Sequence, residues 1–422
     1  MNIRKFVNSH KTIIENYSYM SVLQIFILLY PLITYPYLVG VLGTELYGYV
    51  LTAQMLASYA ALFVDFGSNY VCAKHISTNR NNQDKLSEIF SNVLSARFFA
   101  FLFAFVVYAI IVFCVPDYRS HALIFLLMYG FTTQEFLFPQ FVFQGLEKMK
   151  MVSIINVVSK FIFLPLIFVL VKNPSDVWLV PVIYTLGYLL SGILSLYMIV
   201  KRYGIHFKFP SLSKMGYYIK DSSAIFATDV VCTIKDKFNY FLIGSCVGMS
   251  EIVVYDLSLK LNTIISKPFL ILLTVMFPRQ AQTKSLSRLK QTVIISLGIT
   301  FVLTIIANIF LADIVDFFLH EEIDLLPVRI MMLAPIILSI SGVIANNYFV
   351  AFGHNKFVFY SIVFTTIIYL LSLLAMFILG CLNTIMSFVC LSIVSYLAEL
   401  IYRTIKAYQL IYNKKNNNYE IP

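Results

Sequence analysis

AIFATDVVCTIKDKFNYFLIG (residues 224–244) and VVYDLSLKLNTIISKPFLILLTVMF (residues 253–277) decide how this chain folds. Each is long enough to cross a bilayer, which takes about 20 residues. Yet the first carries Asp229, Lys235, Asp236 and Lys237, and the second carries Asp256, Lys260 and Lys267. A charge at the centre of a membrane helix costs about 2.5–3.5 kcal/mol, so seven facing lipid would approach roughly 20 kcal/mol. These side chains must face protein, water or one another. Asp229, Thr233, Asp236, Tyr240 and Gly244 fall on one helical stripe, and Asp256, Lys260 and Lys267 on a second. Two readings stay open at this point. One is a wet internal cavity with cationic anchors; the other is an ion-pair network that fixes helix packing.

Composition agrees with a membrane location. The 422 residues are 59% apolar and 12% charged, with a mean hydropathy of +0.82. Soluble domains average about 25% charged residues. The chain therefore reads as an all-α polytopic membrane protein. Its net charge of +10 does not point to nucleic acid, because the basic residues lie in short segments between apolar runs. That pattern orients membrane proteins. Six scattered cysteines (Cys72, Cys114, Cys232, Cys246, Cys381 and Cys390) form no CxxC pair and no His/Cys cluster, so they read as small apolar residues. No HExxH, GxSxG or P-loop is present. The expectation is no cofactor, no metal site and no catalysis.

The span rule predicts about twelve transmembrane helices, near 17–40, 46–66, 89–115, 121–143, 152–171, 177–200, 222–247, 252–277, 291–315, 326–352, 357–380 and 383–411. Residues 1–16 are basic and the first apolar run exceeds a signal-peptide core, so the first helix is expected to stay in place. About 22 Lys and Arg residues lie in the termini and even-numbered connections, whereas the odd-numbered connections hold Arg119, Lys172 and Arg329. This bias predicts cytoplasmic termini. The outer loops are short, the longest near 316–327, which leaves no room there for a glycosyltransferase or polymerase site.

The longest polar connection, near 201–221, divides the chain into a lobe over residues 1–204, a linker over 205–221 and a lobe over 222–422. Phe207, Phe209, Met215, Tyr217 and Tyr218 alternate with lysines in it, so it reads either as an amphipathic segment on the anionic inner leaflet or as a solvated loop. Phe141-Val142-x-x-Gly145-x-x-Lys148 recurs as Phe349-Val350-x-x-Gly353-x-x-Lys356, an offset of 208. Gly40, Tyr47 and Leu51 recur as Gly248, Tyr255 and Leu259 at the same offset. Two parallel six-helix repeats place a substrate path between lobes, with helices 1, 2, 7 and 8 facing it.

Depth separates the ionisable candidates. Lys235 lies about 13 residues into its span, roughly 20 Å deep, with Asp236 and Lys237 at the same level. Arg97 and Lys160 are about 9 residues in, roughly 13 Å; they either line the cavity or snorkel to the cytoplasmic headgroups. Glu135 reads as a cavity residue or a buried protonated carboxyl. Glu399 is one turn from Arg403 and reads as its partner. Asp65, beside Gly67, reads as a helix-end feature.

Four stretches carry a resemblance. PYLVGVLGTELYGYVLTAQMLASYAALFVDFGSN (36–69) and PQFVFQGLEKMKMVSIINVVSKFIFLPLIFVLVKNPSD (139–176) are similar to the bacterial polysaccharide-unit flippases, the O-antigen translocases often called Wzx. FLIGSCVGMSEIVVYDLSLKLNT (241–263) and NNYFVAFGHNKFVFY (346–360) resemble the second half of the same family. Its superfamily includes multidrug exporters and the peptidoglycan-precursor flippase. The resemblance implies two pseudo-symmetric six-helix lobes in a V shape. It implies a cargo, an oligosaccharide repeat unit on undecaprenyl pyrophosphate, moved from the cytoplasmic to the periplasmic leaflet of the inner membrane. It also implies work alongside polysaccharide polymerase machinery. One departure is Val41, where many relatives carry a basic residue; this shifts the cationic load to helices 7 and 8. Lys235, Lys237, Lys260 and Lys267, then Arg97 and Lys160, are the expected contacts for the diphosphate. Asp229, Asp236 and Asp256 are expected to set lysine geometry or carry coupling ions, and Tyr240 and Tyr255 to pack or to stack on sugars. The competing functions are a small-solute antiporter of the same superfamily and a membrane polymerase or ligase.

Overall fold

The computed structural model describes the backbone of residues 11–417 and the side chains of residues 30 and 32–412 other than 235 and 236. Twelve long helices follow one another: α1 (residues 11–42), α2 (residues 44–78), α3 (Gln83–Cys114), α4 (Ala122–Gly145), α5 (Met149–Leu170), α6 (Leu179–Lys201), α7 (Leu212–Cys246), α8 (Met249–Thr283), α9 (Leu286–Ile309), α10 (Leu325–Val350), α11 (Lys356–Ile378) and α12 (Ile385–Asn417). Among the described residues, ten helices are long and apolar enough to cross a membrane. The first of those ten, Leu32–Thr78, joins the end of α1 to α2, and α7 is left out by its charge. Ten spans are thus found where about twelve were expected.

Several helices depart from regularity for readable reasons. α1 and α2 run together except at Gly43, where φ is 77° and ψ 163°, a left-handed conformation that glycine adopts without a Cβ penalty; α2 itself breaks at Phe66 and Gly67, φ 40° and 73°, and restarts at Ser68. In α4 a 3-10 turn spans Tyr129–Thr132 and the helix breaks at Phe138–Pro139. Pro139 has no N–H, so the carbonyl of Glu135 loses its helical partner. α10 ends in a π-helical stretch, Ile344–Val350.

The chain divides into two compact units, Met1–Val230 and Val231–Pro422, with the boundary inside α7. Residues 212–221 of the expected linker are the opening turns of that helix. In the first unit the residues before it are held against α3. Ser87 Oγ accepts from His206 N at 3.1 Å, Ser91 Oγ from Lys208 N at 2.7 Å, and Asn92 Oδ1 from Ser211 N at 2.8 Å. Lys208 pairs with Asp84 at 2.6 Å and Lys214 with Glu88 at 2.9 Å. Phe209 meanwhile stands fully exposed.

Between membrane helices the hydrophobic effect gives little, so close approach of small residues and hydrogen bonds carry the packing. A Cβ on Gly145 of α4 would lie 2.5 Å from Ile76 Cβ and 2.7 Å from Ala73 O of α2. In the second unit a stripe of buried hydroxyls, Thr292, Ser296, Thr300 and Thr304, runs along α9. Thr300 Oγ1 donates to Ser339 Oγ of α10 at 3.3 Å.

Two features recur in the two units at an offset of 206, two residues from the 208 of the sequence motifs. Thr52 Oγ1 bonds Gly48 O and Ser258 Oγ bonds Val254 O. The turn after α4 closes with Lys148 N on Phe143 O at 2.7 Å, and the turn after α10 with His354 N on Phe349 O at 2.6 Å. The left-handed residues of those turns are Glu147, φ 58°, and Gly353, φ 88°. Each pair is separated by 206.

Candidate functional site

Ionisable groups gather at three places within the spans. The first is in the first unit. Arg97 of α3 is fully buried, 0% exposed. Its Nη2 pairs with Asp65 of α2, Nε and Nη2 donate to Ser68 Oγ at 2.9 and 2.7 Å, and Nη1 donates to the Glu135 carbonyl at 2.7 Å. That carbonyl is the one left free by Pro139. The ring of Phe141 lies 5.3 Å from the guanidinium. Arg97 therefore does not snorkel: three neighbours far away in sequence supply better acceptors than the headgroups. Asp65 also accepts from Ser68 Oγ and Asn69 N, each at 3.3 Å, so it serves a helix start as well. Asn69 Nδ2 donates to Glu135 Oε2 at 3.4 Å.

The second place lies in the second unit between α7 and α8. Asp256, 4% exposed, accepts from Tyr240 Oη at 2.7 Å and pairs with Lys260 one turn on. Beside it Asn239, Tyr255, Tyr369 and Ser392 form a closed buried network. Asn239 Nδ2 donates to Tyr255 Oη at 2.8 Å, and Tyr369 Oη donates to Asn239 Oδ1 at 2.6 Å. Tyr240 and Tyr255 meet edge to face at 5.6 Å. A low-dielectric interior makes such a fully satisfied network rigid. Lys237 and Lys267 are half-buried on α7 and α8. The side chains of Lys235 and Asp236 lie outside the described residues. Asp229, assigned to the first unit, is half-buried on α7.

The third place joins α10, α11 and α12. Arg403 pairs with Glu399 at 2.6 Å, both nearly inaccessible. Its Nε donates to Ser361 Oγ at 3.0 Å, and its Nη1 to Ser341 Oγ at 2.9 Å and Ser341 O at 3.3 Å. The expected pairing of Glu399 with Arg403 is therefore found, together with two serines from other helices.

Lys160 and Lys267, each near the middle of its helix, have no carboxylate in salt-bridge range among the described residues. Lys160 Nζ sits 5.8 Å from the centre of the Tyr188 ring. An open cleft of about 650 Å³ between the C-terminal half of α9 and the first turns of α10 is lined by Phe301, Thr304, Asn308, Arg329 and apolar neighbours. It includes none of the expected cations. The residues missed from sequence are Asn239, Tyr369 and Ser392, whose spacing along the chain carries no pattern. Asn156, one turn before Lys160, and Tyr184 with Tyr188 were also missed, although their one-turn spacing was a usable signal.

Comparison with known proteins sets this geometry in context. The family profile described as polysaccharide biosynthesis protein matches residues 13–284. A protein of Escherichia coli (strain K12) named for O-antigen transport is 24% identical over 286 residues, 68% of this chain and 69% of that one. One of Shigella dysenteriae, similarly named, is 24% identical over 340 residues, 78% and 84% of the two chains. Among solved structures the lipid II flippase MurJ, in an inward closed conformation, superposes with a TM-score of 0.71 at 14% identity, covering 92% of this chain and 86% of that chain. An inward-facing multidrug resistance MATE family transporter of the MOP superfamily gives 0.59 at 14% identity, covering 90% and 98%. These two likenesses establish the fold.

Proposed function

We propose, from the premise that the chain belongs to the polysaccharide biosynthesis protein family, that it is a membrane flippase for lipid-linked saccharide. It is a multi-pass membrane transporter of the O-antigen type, not a catalyst. The cargo we assign is an oligosaccharide on undecaprenyl pyrophosphate. It passes from the cytoplasmic to the periplasmic leaflet of the bacterial inner membrane by alternating access, with both termini cytoplasmic, and is handed on to polymerase machinery. The lipid tail stays in the bilayer, so the protein needs to shelter only the diphosphate and the sugars.

The observation that carries this reading is the pair of half-buried lysines, Lys160 and Lys267, which have no carboxylate in range among the described residues. A cation at membrane depth without a counter-ion is costly, and an anionic cargo supplies that counter-ion transiently. Lys235, Lys237 and Lys260 are proposed as further contacts, with Lys260 released from Asp256 when the diphosphate arrives. Arg97, with its donors already engaged, is proposed to hold α2, α3 and α4 in place around the path. Asp229, Asp236 and Asp256 are proposed to couple transport to ions. Transport driven this way requires the two states to bind cargo differently.

The test uses cells lacking the protein. Lys160→Ala and Lys267→Ala are expected to lower surface polysaccharide at least tenfold while the protein inserts normally. Full surface polysaccharide in both variants overturns the assignment. Asp256→Asn is expected to change the response of transport to pH or membrane potential, and an unchanged response removes it from coupling.

A further inference from the structure

Around Lys160 the first unit holds a group of polar and aromatic side chains that neither the Arg97 centre nor the lysine assignment itself accounts for. Three helices each present two residues one turn apart: Tyr30 and Thr34 on α1, Asn156 and Lys160 on α5, and Tyr184 and Tyr188 on α6. Such pairs share one helix face. The faces meet. Tyr30 and Tyr184 have ring centres 6.3 Å apart, and Thr34 Oγ1 donates to the Tyr30 carbonyl at 3.1 Å. The Lys160 ammonium lies over the Tyr188 ring, and Gln134 Nε2 of α4 donates to Asn156 Oδ1 at 3.2 Å. Phe131 props Tyr188 edge-on at 5.1 Å.

Lys160 lies about 11 residues from the start of α5, roughly 16 Å along the axis, yet it and the three tyrosines remain partly exposed. A lysine and phenolic hydroxyls gain nothing from facing acyl chains, so this face meets water or cargo. Its chemistry is specific. Flat rings offer π-faces to the C–H side of a pyranose, phenol and amide groups satisfy sugar hydroxyls, and the lone ammonium takes one negative charge. A cavity for cationic solutes would place several carboxylates here, where Glu135 alone is close enough to act on Tyr188, and a diphosphate clamp would place several cations. One cation beside three tyrosines fits the junction between a sugar and the phosphate it is attached to.

We propose that Tyr30, Tyr184 and Tyr188, with Asn156 and Gln134, form a subsite for the sugar linked directly to the diphosphate, and that Lys160 holds the adjoining phosphate. This rests on the flippase reading above. The full-length protein in detergent or nanodiscs is titrated while the fluorescence of Trp178, its single tryptophan, is followed. Two probes are used: lipid-linked oligosaccharide extracted from cells lacking the protein, and undecaprenyl diphosphate without sugar. Tyr188→Ala and Tyr184→Ala are expected to weaken binding of the glycan-bearing lipid at least tenfold and of the bare diphosphate less than twofold. Tyr188→Phe is expected to recover most of the loss, because the ring remains. Lys160→Ala is expected to weaken both. Equal loss of both lipids in the tyrosine variants, or no loss of either, overturns the sugar subsite. Failure of the wild-type protein to bind either lipid instead overturns the flippase reading itself.

Discussion

Glu135 in the first unit and Ser341 in the second hold the same place in the 206-residue register, and each offers its carbonyl to a buried guanidinium. The guanidiniums arrive from different directions. Arg97 comes from α3 and pairs with Asp65 of α2, whereas Arg403 comes from α12 and pairs with Glu399 on its own helix. At the positions equivalent to the two arginines stand Leu303 and Tyr197. Glu135 lacks its helical N–H because of Pro139, whereas the Ser341 carbonyl also accepts from Ile344 N; each unit supplies its guanidinium from a different helix. The same holds for the third and fourth turns of α2 and α8. Thr52 and Ser258 match, but Asp256 and Lys260 face Val50 and Gln54 in register. Backbone geometry repeats; charge does not.

Breaking either guanidinium pair tests this most severely. Asp65→Ala and Glu399→Ala each leave a buried arginine without its carboxylate, at a cost of about 3–5 kcal/mol. Thermal melts of the purified protein should register both as severe losses. Replacing both partners, as Arg97→Met with Asp65→Leu, should return most of the stability. Wild-type melting of the single variants would mean that the two centres are not equivalent anchors.

The two repeat turns give a smaller contrast. Gly145→Ala forces a methyl onto Ile76 and the Ala73 carbonyl, which is overpacking worth about 1–3 kcal/mol. Gly353 has open space around its Cβ position but a left-handed backbone, so alanine there costs about 1–2 kcal/mol from conformation alone. Relief of the Gly145→Ala loss by shortening Ile76 to Val, with no such relief available at Gly353, sharpens the distinction.

The smallest effect concerns what the hydroxyls hold. Ser91 on α3 receives a loop amide, whereas Thr300 on α9 bonds a neighbouring helix. Ser91→Ala and Thr300→Val should each cost about 0.5–1.5 kcal/mol. Only the first should speed amide hydrogen exchange at Lys208. Equal exchange at Lys208 in both variants removes the loop's attachment from the account.

Helix class was legible because a bilayer imposes one length and one polarity on every span, and α7 betrayed itself by failing the second. The repeat was legible in the motifs, two residues away from the offset of the hydroxyl bonds and turns. The fate of Arg97 was not legible. Counting residues from a helix end gives depth, but burial depends on Asp65, Ser68 and Glu135, which reach it from other helices. Lys160 and Arg97 looked alike at equal depth, and only tertiary neighbours made one a sealed ion pair and the other a half-open ammonium over an aromatic ring. The lysines that drew attention first stand on α7 and α8, where Lys260 is already matched with Asp256. The tyrosines of α1 and α6 drew none, because aromatic residues are common in spans.

Pro139 gives the first unit a socket. An imino acid inside a membrane helix is ordinarily a deficit, yet here the missing N–H is what leaves the Glu135 oxygen vacant for Arg97. Restoring an amide at that place by Pro139→Ala would set a second suitor against the guanidinium, on the guanidinium's own ground. Arginine and proline thus work as one lock made of two distant letters, and neither can be exchanged without the other coming loose.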